Sequence, residues 1–258
     1  MNKKINLLFV LIFFFFTLFQ FLWKNIREHT QKSKEHISSL GNKRIPNFRK
    51  AKRIAREFYD YSPFRSFYCN CPFKGSKVQL GECPLPSSLK QHTRSQKIEW
   101  EHIVPASAFG KKFPAWIKGH QHCKNKKGTP FKGRKCARIR SRKFRLMEAD
   151  LYNLVPVVGK VNAIRSNNPL GKVTQLESEL GKCGTKISKQ SIFPRKEIRG
   201  LVARIYLYMN KAYPGYQIIN KKNEKFIKKW SQENPPENFE KARNLYIQRV
   251  QGNPFVFK

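Results

Sequence analysis

Apolar residues recur at helical spacing in four parts of this chain. The first part predicts an amphipathic helix over about 47–60, because Phe48, Ala51 and Ala55 share one face and Pro63 follows. The other three helices are predicted over about 195–212, 221–232 and 238–250.

Two shorter stretches are typical of strands. One covers about 97–104 and ends at Pro105, and the other covers Leu151 to Val158, with a short helix predicted directly after it over about 158–167. The basic segment from Lys111 to Arg145 is rich in glycine and lysine and is predicted to be a loop. The elements together predict an α+β fold in which helices dominate.

The first 24 residues differ in character from the rest. They begin Met-Asn-Lys-Lys and continue with an apolar run from Ile5 to Trp23, which is typical of an export signal. No small-residue cleavage site follows the run. Its length approaches the ~20 residues that span a bilayer, so an uncleaved membrane anchor is the alternative interpretation. The sequence predicts a signal peptide or anchor over 1–24, a basic linker over 25–46 and one folded domain over 47–258.

The net charge of the chain limits the classes of partner that it is expected to bind. With 53 Lys and Arg against 16 Asp and Glu, the formal net charge is +37. Polyphosphate is the commonest partner of so basic a chain, while an anionic membrane or a merely solubilising surface are the alternatives. A hydrophobic fraction of 40% excludes a disordered chain.

The even number of cysteines fits an oxidising compartment. Their spacing suggests two short loops closed by Cys71–Cys83 and Cys123–Cys136, which leaves Cys69–Cys183 as the remote pair, although six cysteines allow about 15 connectivities. A structural zinc is the alternative, and its spacings do not match the common C-x2-C templates. Its candidate ligands are His120, His122, Cys123 and Cys136, with Cys69, Cys71 and Cys83 as further members.

A carboxylate followed by a histidine, Glu101-His102, stands near the end of the first predicted strand. Adjacent strand residues point to opposite faces, so the two share a site only if the strand ends and twists there, which Pro105 favours. An isolated pair of this kind is more often two satisfied core residues. This pair is followed by a long loop, a second strand and a helix bearing Asn162, an order that holds one metal and one histidine in many nucleases.

Several segments in matched order resemble the bacterial endonuclease I family, the periplasmic and secreted non-specific nucleases of the ββα-metal (His-Me finger) class. The resemblance runs from about residue 50 to the C-terminus. The segments are Phe67-Tyr68-Cys69-x-Cys71, Thr93-Arg94, Trp100 to Ala106, Arg145 to Leu151, Val161-Asn162 with Arg165-Ser166-Asn167, Arg199-Gly200 with Ala203-Arg204, Tyr206 to Met209, and Gln251 to Phe255.

The resemblance implies a metal-dependent endonuclease. Glu101 and Asn162 would hold one Mg²⁺, with Mn²⁺ or Ca²⁺ as alternatives, because hard oxygen ligands suit these ions. His102 would be the general base, and Glu148 would either orient it through its own main chain or support the metal. Arg134 would clamp the phosphate, with Arg138 or Arg140 as substitutes.

Contacts made mainly to the phosphate backbone predict little sequence preference. The expected substrate is DNA, and RNA is an alternative or additional substrate. A monomer is the default, exported to the periplasm or the medium, with possible anchoring by residues 5–23. One departure from the family is the lack of cysteines after Cys183, so the segment from Phe239 to Lys258 is expected to be held by packing alone. The alternatives are a catalytically inactive cell-surface nucleic-acid-binding protein and a cationic membrane-active factor.

Overall fold

The computed structural model describes residues 16, 18–27, 40–61, 64–171, 180–188 and 191–253. The chain forms two compact units, Met1–Ser39 and Leu40–Lys258. In the first, residues 16 and 18–27 are helical and exposed. Among the described residues, no helix is both long and apolar enough to cross a membrane. Most of the apolar run falls on residues 1–15 and 17, outside the described part of the chain.

The second unit combines helices with small antiparallel sheets. Its helices are α1 (Phe48–Asp60), α2 (Ser87–Lys90), α3 (Ala106–Gly110), α4 (Pro114–Ile117), α5 (Arg134–Arg140), α6 (Arg142–Glu148), α7 (Gly159–Arg165), α8 (Arg199–Ala212), α9 (Lys221–Glu233) and α10 (Asn238–Gln251). Its strands are β1 (Phe73–Lys74), β2 (Lys77–Val78), β3 (Ile98–His102), β4 (Leu154–Val158), β5 (Lys186–Ile187) and β6 (Ile192–Phe193). The predicted mixed fold is therefore confirmed.

The strand pair at the centre of the unit is β3 with β4. They run antiparallel, with Ile98 opposite Val158 and His102 opposite Leu154, and every residue of β4 is buried. Helix α7 begins at the residue after β4 and packs on both strands. The predicted second strand starts later than expected, because Asp150 caps a short 3-10 turn over Leu151–Asn153.

The first amphipathic helix, α1, lies within one residue of its predicted bounds. Asn47 caps it by accepting a hydrogen bond from the Lys50 amide, and it buries Ala51, Ala55 and Tyr59. Residues 40–46 form the end of the predicted basic linker, and they pack into the second unit with Leu40 and Ile45 buried. This segment places the start of α1 against the end of β3.

The prediction of a loop from Lys111 to Arg145 is wrong. Helices α4, α5 and most of α6 lie in this segment. Hydrophobic periodicity does not reveal these helices, because each is short and has few apolar residues among many cationic ones. Helix α5 buries only Cys136 and Ala137, and its disulfide to Cys123 anchors it.

The six cysteines form three disulfides, Cys69–Cys183, Cys71–Cys83 and Cys123–Cys136. This is the connectivity that their spacing suggested. The pair separated by 114 residues joins the loop before β1 to the segment before β5. Loop-closure entropy makes such a remote cross-link worth about 4–5 kcal/mol.

The C-terminal segment is not held by packing alone, contrary to the expectation. Buried Arg243 of α10 donates to the carbonyl oxygens of Leu151, Tyr152 and Leu154, which precede or begin β4. Gln251 donates to Asp150 at 2.9 Å. Hydrogen bonds from polar side chains thus tie α10 to the segment around the start of β4. Residues 254–258 lie outside the described part of the chain.

Candidate active site

Glu101 and His102 leave the end of β3 in different directions, and both are buried. Glu101 faces α7, where its Oε1 lies 2.8 Å from the guanidinium of Arg165. His102 faces α1, where its ring packs on Phe48 with centroids 4.8 Å apart. Alternation along the strand separates the two side chains, as the sequence required.

Glu101 sits in a low-dielectric setting with one strong cationic partner. Burial raises the pKa of Glu101 to about 7, against the opposing charge of Arg165. Arg165 is itself buried, and it also donates to the carbonyl oxygen of Ile103 at 2.7 Å. The carboxylate is therefore fixed in place by Arg165.

The imidazole of His102 is locked in one tautomer. Its Nε2 lies 2.8 Å from the carbonyl oxygen of Glu148, and its Nδ1 lies 3.4 Å from Nη2 of Arg134. Because a carbonyl only accepts and a guanidinium only donates, Nε2 carries the proton and Nδ1 presents a lone pair. Burial lowers the pKa of His102, and the positive charge of Arg134 lowers it further, to about 3. The ring is therefore neutral.

Glu148 uses both its main chain and its side chain. While its carbonyl oxygen holds His102, its buried carboxylate pairs with Arg134 at 2.5 Å and with Arg138 at 2.7 Å. Both arginines belong to α5, one turn apart, and each side chain is about two-fifths exposed. Arg140, the other substitute considered for the clamp, is exposed and is not a partner of Glu148.

Asn162 of α7 is held by a residue that the sequence did not single out. Its Nδ2 donates to Oε2 of Glu99 at 2.9 Å, and Glu99 in turn pairs with Arg94 at 2.6 Å. Burial alone would raise the pKa of Glu99, but the hydrogen bonds from Arg94 and Asn162 outweigh it and lower the pKa. The contact assigns the amide nitrogen to Glu99, which leaves Oδ1 as the end that can bind a cation.

The four residues Glu99, Glu101, Asn162 and Arg165 define one interface. Glu99 and Glu101 are two apart on a strand and so share a face, while Asn162 and Arg165 are three apart on a helix and share another. Each helix residue contacts one of the strand carboxylates, so the two faces lie against each other. Glu101 and Asn162 therefore lie on the facing surfaces of β3 and α7.

This pair of oxygen donors fits a hard divalent cation. One carboxylate and one amide oxygen leave coordination positions for water and phosphate, as Mg²⁺ prefers. Within the described residues, no group of three or more His, Cys, Asp and Glu side chains could hold a metal, so the zinc alternative has no such cluster there.

The sequence left out three residues that shape this region. Glu99 orients Asn162, Arg165 pairs with Glu101, and Phe48 packs on His102. The sequence could have indicated a role for Arg165, because this residue lies in one of the segments that resemble the family. Nothing in the local pattern distinguishes Phe48 from a core residue of α1.

The sequence model of the family described as Endonuclease I matches residues 21–258 of this chain. "Endonuclease-1" of Buchnera aphidicola subsp. Acyrthosiphon pisum (strain APS) is 33% identical over 229 residues, which is 86% of this chain and 84% of that relative.

Two relatives from Aeromonas hydrophila are also similar. The "Extracellular deoxyribonuclease" is 34% identical over 225 residues, covering 83% of this chain and 89% of the relative. The "Periplasmic deoxyribonuclease" is 34% identical over 222 residues, covering 82% of this chain and 85% of the relative. Their names and the three disulfides here both suggest export.

Proposed function

The chain belongs to the endonuclease I family, and from that premise we propose that it is a metal-dependent endonuclease that hydrolyses DNA without sequence preference. The observation that carries the proposal is His102, buried and neutral, with its Nε2 held by the Glu148 carbonyl and Arg134 beside its Nδ1. In this proposal β3, β4 and α7 form the ββα-metal motif. RNA is a second substrate that the same backbone contacts would accept.

Glu101 and Asn162 are the proposed ligands of one Mg²⁺, with Mn²⁺ or Ca²⁺ as substitutes. When bound, the ion would supply positive charge that offsets the charge developing on the departing 3′ oxygen. Glu99 keeps the amide oxygen of Asn162 turned toward the site, and Arg165 fixes the carboxylate of Glu101. Both are positioning residues, because neither touches the reacting atoms.

His102 is the proposed general base. Its Nδ1 lone pair accepts a proton from the attacking water, and the Glu148 carbonyl keeps the ring in the required tautomer. Burial is the main cause of the lowered pKa of the ring and the charge of Arg134 adds to it, so a phosphate bound to Arg134 would offset the second effect and make the imidazole more basic.

Arg134 is the proposed phosphate clamp. Its Nε is held by Glu148, while Nη2 lies near Nδ1 of His102, so the guanidinium can present a fork beside the base. This arrangement brings the scissile phosphate and the proton acceptor to one point. Glu148 acts as a positioning residue for both.

The working location is outside the cytoplasm. We propose that residues 1–24 are a signal peptide or membrane anchor and that the enzyme acts as a monomer. The linker over 25–46 leads to the catalytic domain over 47–258, and its last residues, 40–46, pack into that domain. The names of the relatives and the disulfides support export.

Nicking of a supercoiled plasmid tests the reaction class. The oxidised protein is expected to nick the plasmid in Mg²⁺, to stop when EDTA is in excess, and to resume when Mg²⁺ is restored, because the oxygens of Glu101 and Asn162 need the ion to engage the phosphate. Nicking at an unchanged rate in EDTA would contradict the metal dependence. Salt-sensitive binding without any nicking would instead favour an inactive nucleic-acid-binding protein.

A further inference from the structure

A cavity opens beside the proposed active site. It has a volume of about 350 Å³ and lies between the first residues of α1 and the arginines of α5 and α6. Its lining includes Phe48, Arg49, Lys52, Arg138 and Arg145. His102 and Arg134 do not line it, so it is separate from the point where the water is activated.

The cavity is strongly cationic. Four of its lining side chains carry positive charge, against a single carboxylate from Glu148. That carboxylate already pairs with Arg134 and Arg138, so it leaves little negative charge to offset Arg49 and Lys52. A cavity of one sign of charge attracts counter-ions of the other sign.

Phe48 forms the wall between the cavity and the active site. The ring packs on His102 at 4.8 Å, and it has Lys52, Arg134 and Arg138 within 5.1, 5.5 and 5.7 Å of its centroid. Attraction to the ring face helps to hold these mutually repelling cations close together. Because the ring is so occupied, it is a poor platform for stacking a base.

The two arginines of α5 connect the cavity to the active site. Arg134 lies next to His102, and Arg138 lines the cavity one helical turn later, with both anchored on Glu148. Residues four apart on a helix have Cβ atoms about 5–6 Å apart. That separation is of the same order as the step between neighbouring phosphates along a nucleic-acid strand.

We propose that this cavity binds the phosphate that neighbours the scissile one in the same strand. The inference rests on the proposed function and extends it: Arg134 takes the scissile phosphate, while Arg138, Lys52 and Arg49 take the next. Guanidinium forks and a flexible ammonium are the groups that recognise phosphate oxygens. Such a site reads the backbone and no base.

Binding measurements with a matched pair of variants test the site. The cavity variant carries Arg49→Gln and Lys52→Gln, and the control carries Arg53→Gln and Arg56→Gln. Arg53 and Arg56 are exposed residues of the same helix that do not line the cavity. Both variants lose the same charge, and both are made in full-length oxidised protein bearing His102→Ala so that the probe is not cut.

The readout is the anisotropy of a labelled twelve-nucleotide oligo-dT over a series of KCl concentrations. Loss of one phosphate contact lowers the slope of log K against log salt by about 0.7 for a single strand. The cavity variant is expected to show this smaller slope and weaker binding, whereas the control keeps the slope of its parent. Equal changes in the two variants would overturn the cavity as a site.

Cleavage of minimal substrates in the active background separates this claim from the proposed function. The cavity variant is expected to cut d(TpT) as the unsubstituted protein does, and to lose kcat/KM on d(pTpT) or d(TpTp), which carry a neighbouring phosphate. Equal losses on d(TpT) would overturn the subsite while leaving the nuclease intact. Failure of the unsubstituted protein to cut any DNA would overturn both.

Discussion

Replacing His102 with alanine is expected to slow DNA cleavage by about two to four orders of magnitude, the range that a general base contributes. The variant loses the Nδ1 lone pair that accepts the proton from water. Binding to DNA should stay nearly unchanged, because the ring is buried and the cations around Phe48 remain. Single-turnover cleavage and anisotropy on the same oligonucleotide measure the two effects.

His122→Ala is the matched control for that experiment. His122 is exposed and lies in the basic segment before α5. Its removal should leave cleavage unchanged, which also tests whether His122, a candidate zinc ligand, matters. A His102→Ala protein that cuts as fast as its parent would remove His102 from the mechanism.

Replacing Arg165 with methionine is expected to cost about 3–5 kcal/mol in the free energy of unfolding, the usual loss when one partner of a buried ion pair is removed. Arg165 is 1% exposed, and its guanidinium holds both Glu101 and the carbonyl oxygen of Ile103. Without it, Glu101 is left buried and loses the one ion pair that it makes with the described residues. Urea unfolding of the oxidised protein gives the value.

The double variant Arg165→Met with Glu101→Gln serves as the internal check. Removing the charge of Glu101 should recover part of the lost stability, because the unpaired carboxylate causes most of the cost. Lys228→Met breaks an exposed ion pair with Glu224 on α9 and should change little. A loss from Arg165→Met as small as that from Lys228→Met would show that the pair does not hold the site.

The sequence predicted the frame of the site for a definite physical reason. β4 is an apolar run, β3 alternates apolar and polar residues, and Pro105 marks where β3 ends, so Glu101 and His102 could be placed at a strand end. The helix carrying Asn162 follows β4 directly, as predicted. Hydrophobic pattern, run length and the flanking proline together suffice for these elements.

The orientation of the site residues was beyond the reach of the sequence. Which end of the Asn162 amide faces the site depends on Glu99, and the tautomer of His102 depends on a carbonyl 46 residues away. Neither contact leaves a local pattern. Resemblance to the family named Glu148, but only the geometry distinguishes its main-chain contact to His102 from its side-chain contacts to Arg134 and Arg138.

The prediction that the basic segment is a loop was wrong because its helices are stabilised by contacts with residues distant in the sequence. Helix α5 buries one narrow stripe and depends on the Cys123–Cys136 disulfide. It then supplies both arginines on Glu148. A segment that resembles a solvated loop thus provides the cations next to the base.

The location of a bound Mn²⁺ ion tests the central claim most directly. Anomalous diffraction from crystals of the His102→Ala protein grown with Mn²⁺ and a short oligonucleotide should show one strong peak. That peak is expected within coordination distance of a Glu101 carboxylate oxygen and Oδ1 of Asn162, with the Asn162 nitrogen still on Glu99. A peak on Glu148 instead, or none at these two residues in saturating Mn²⁺, would contradict the proposed metal site.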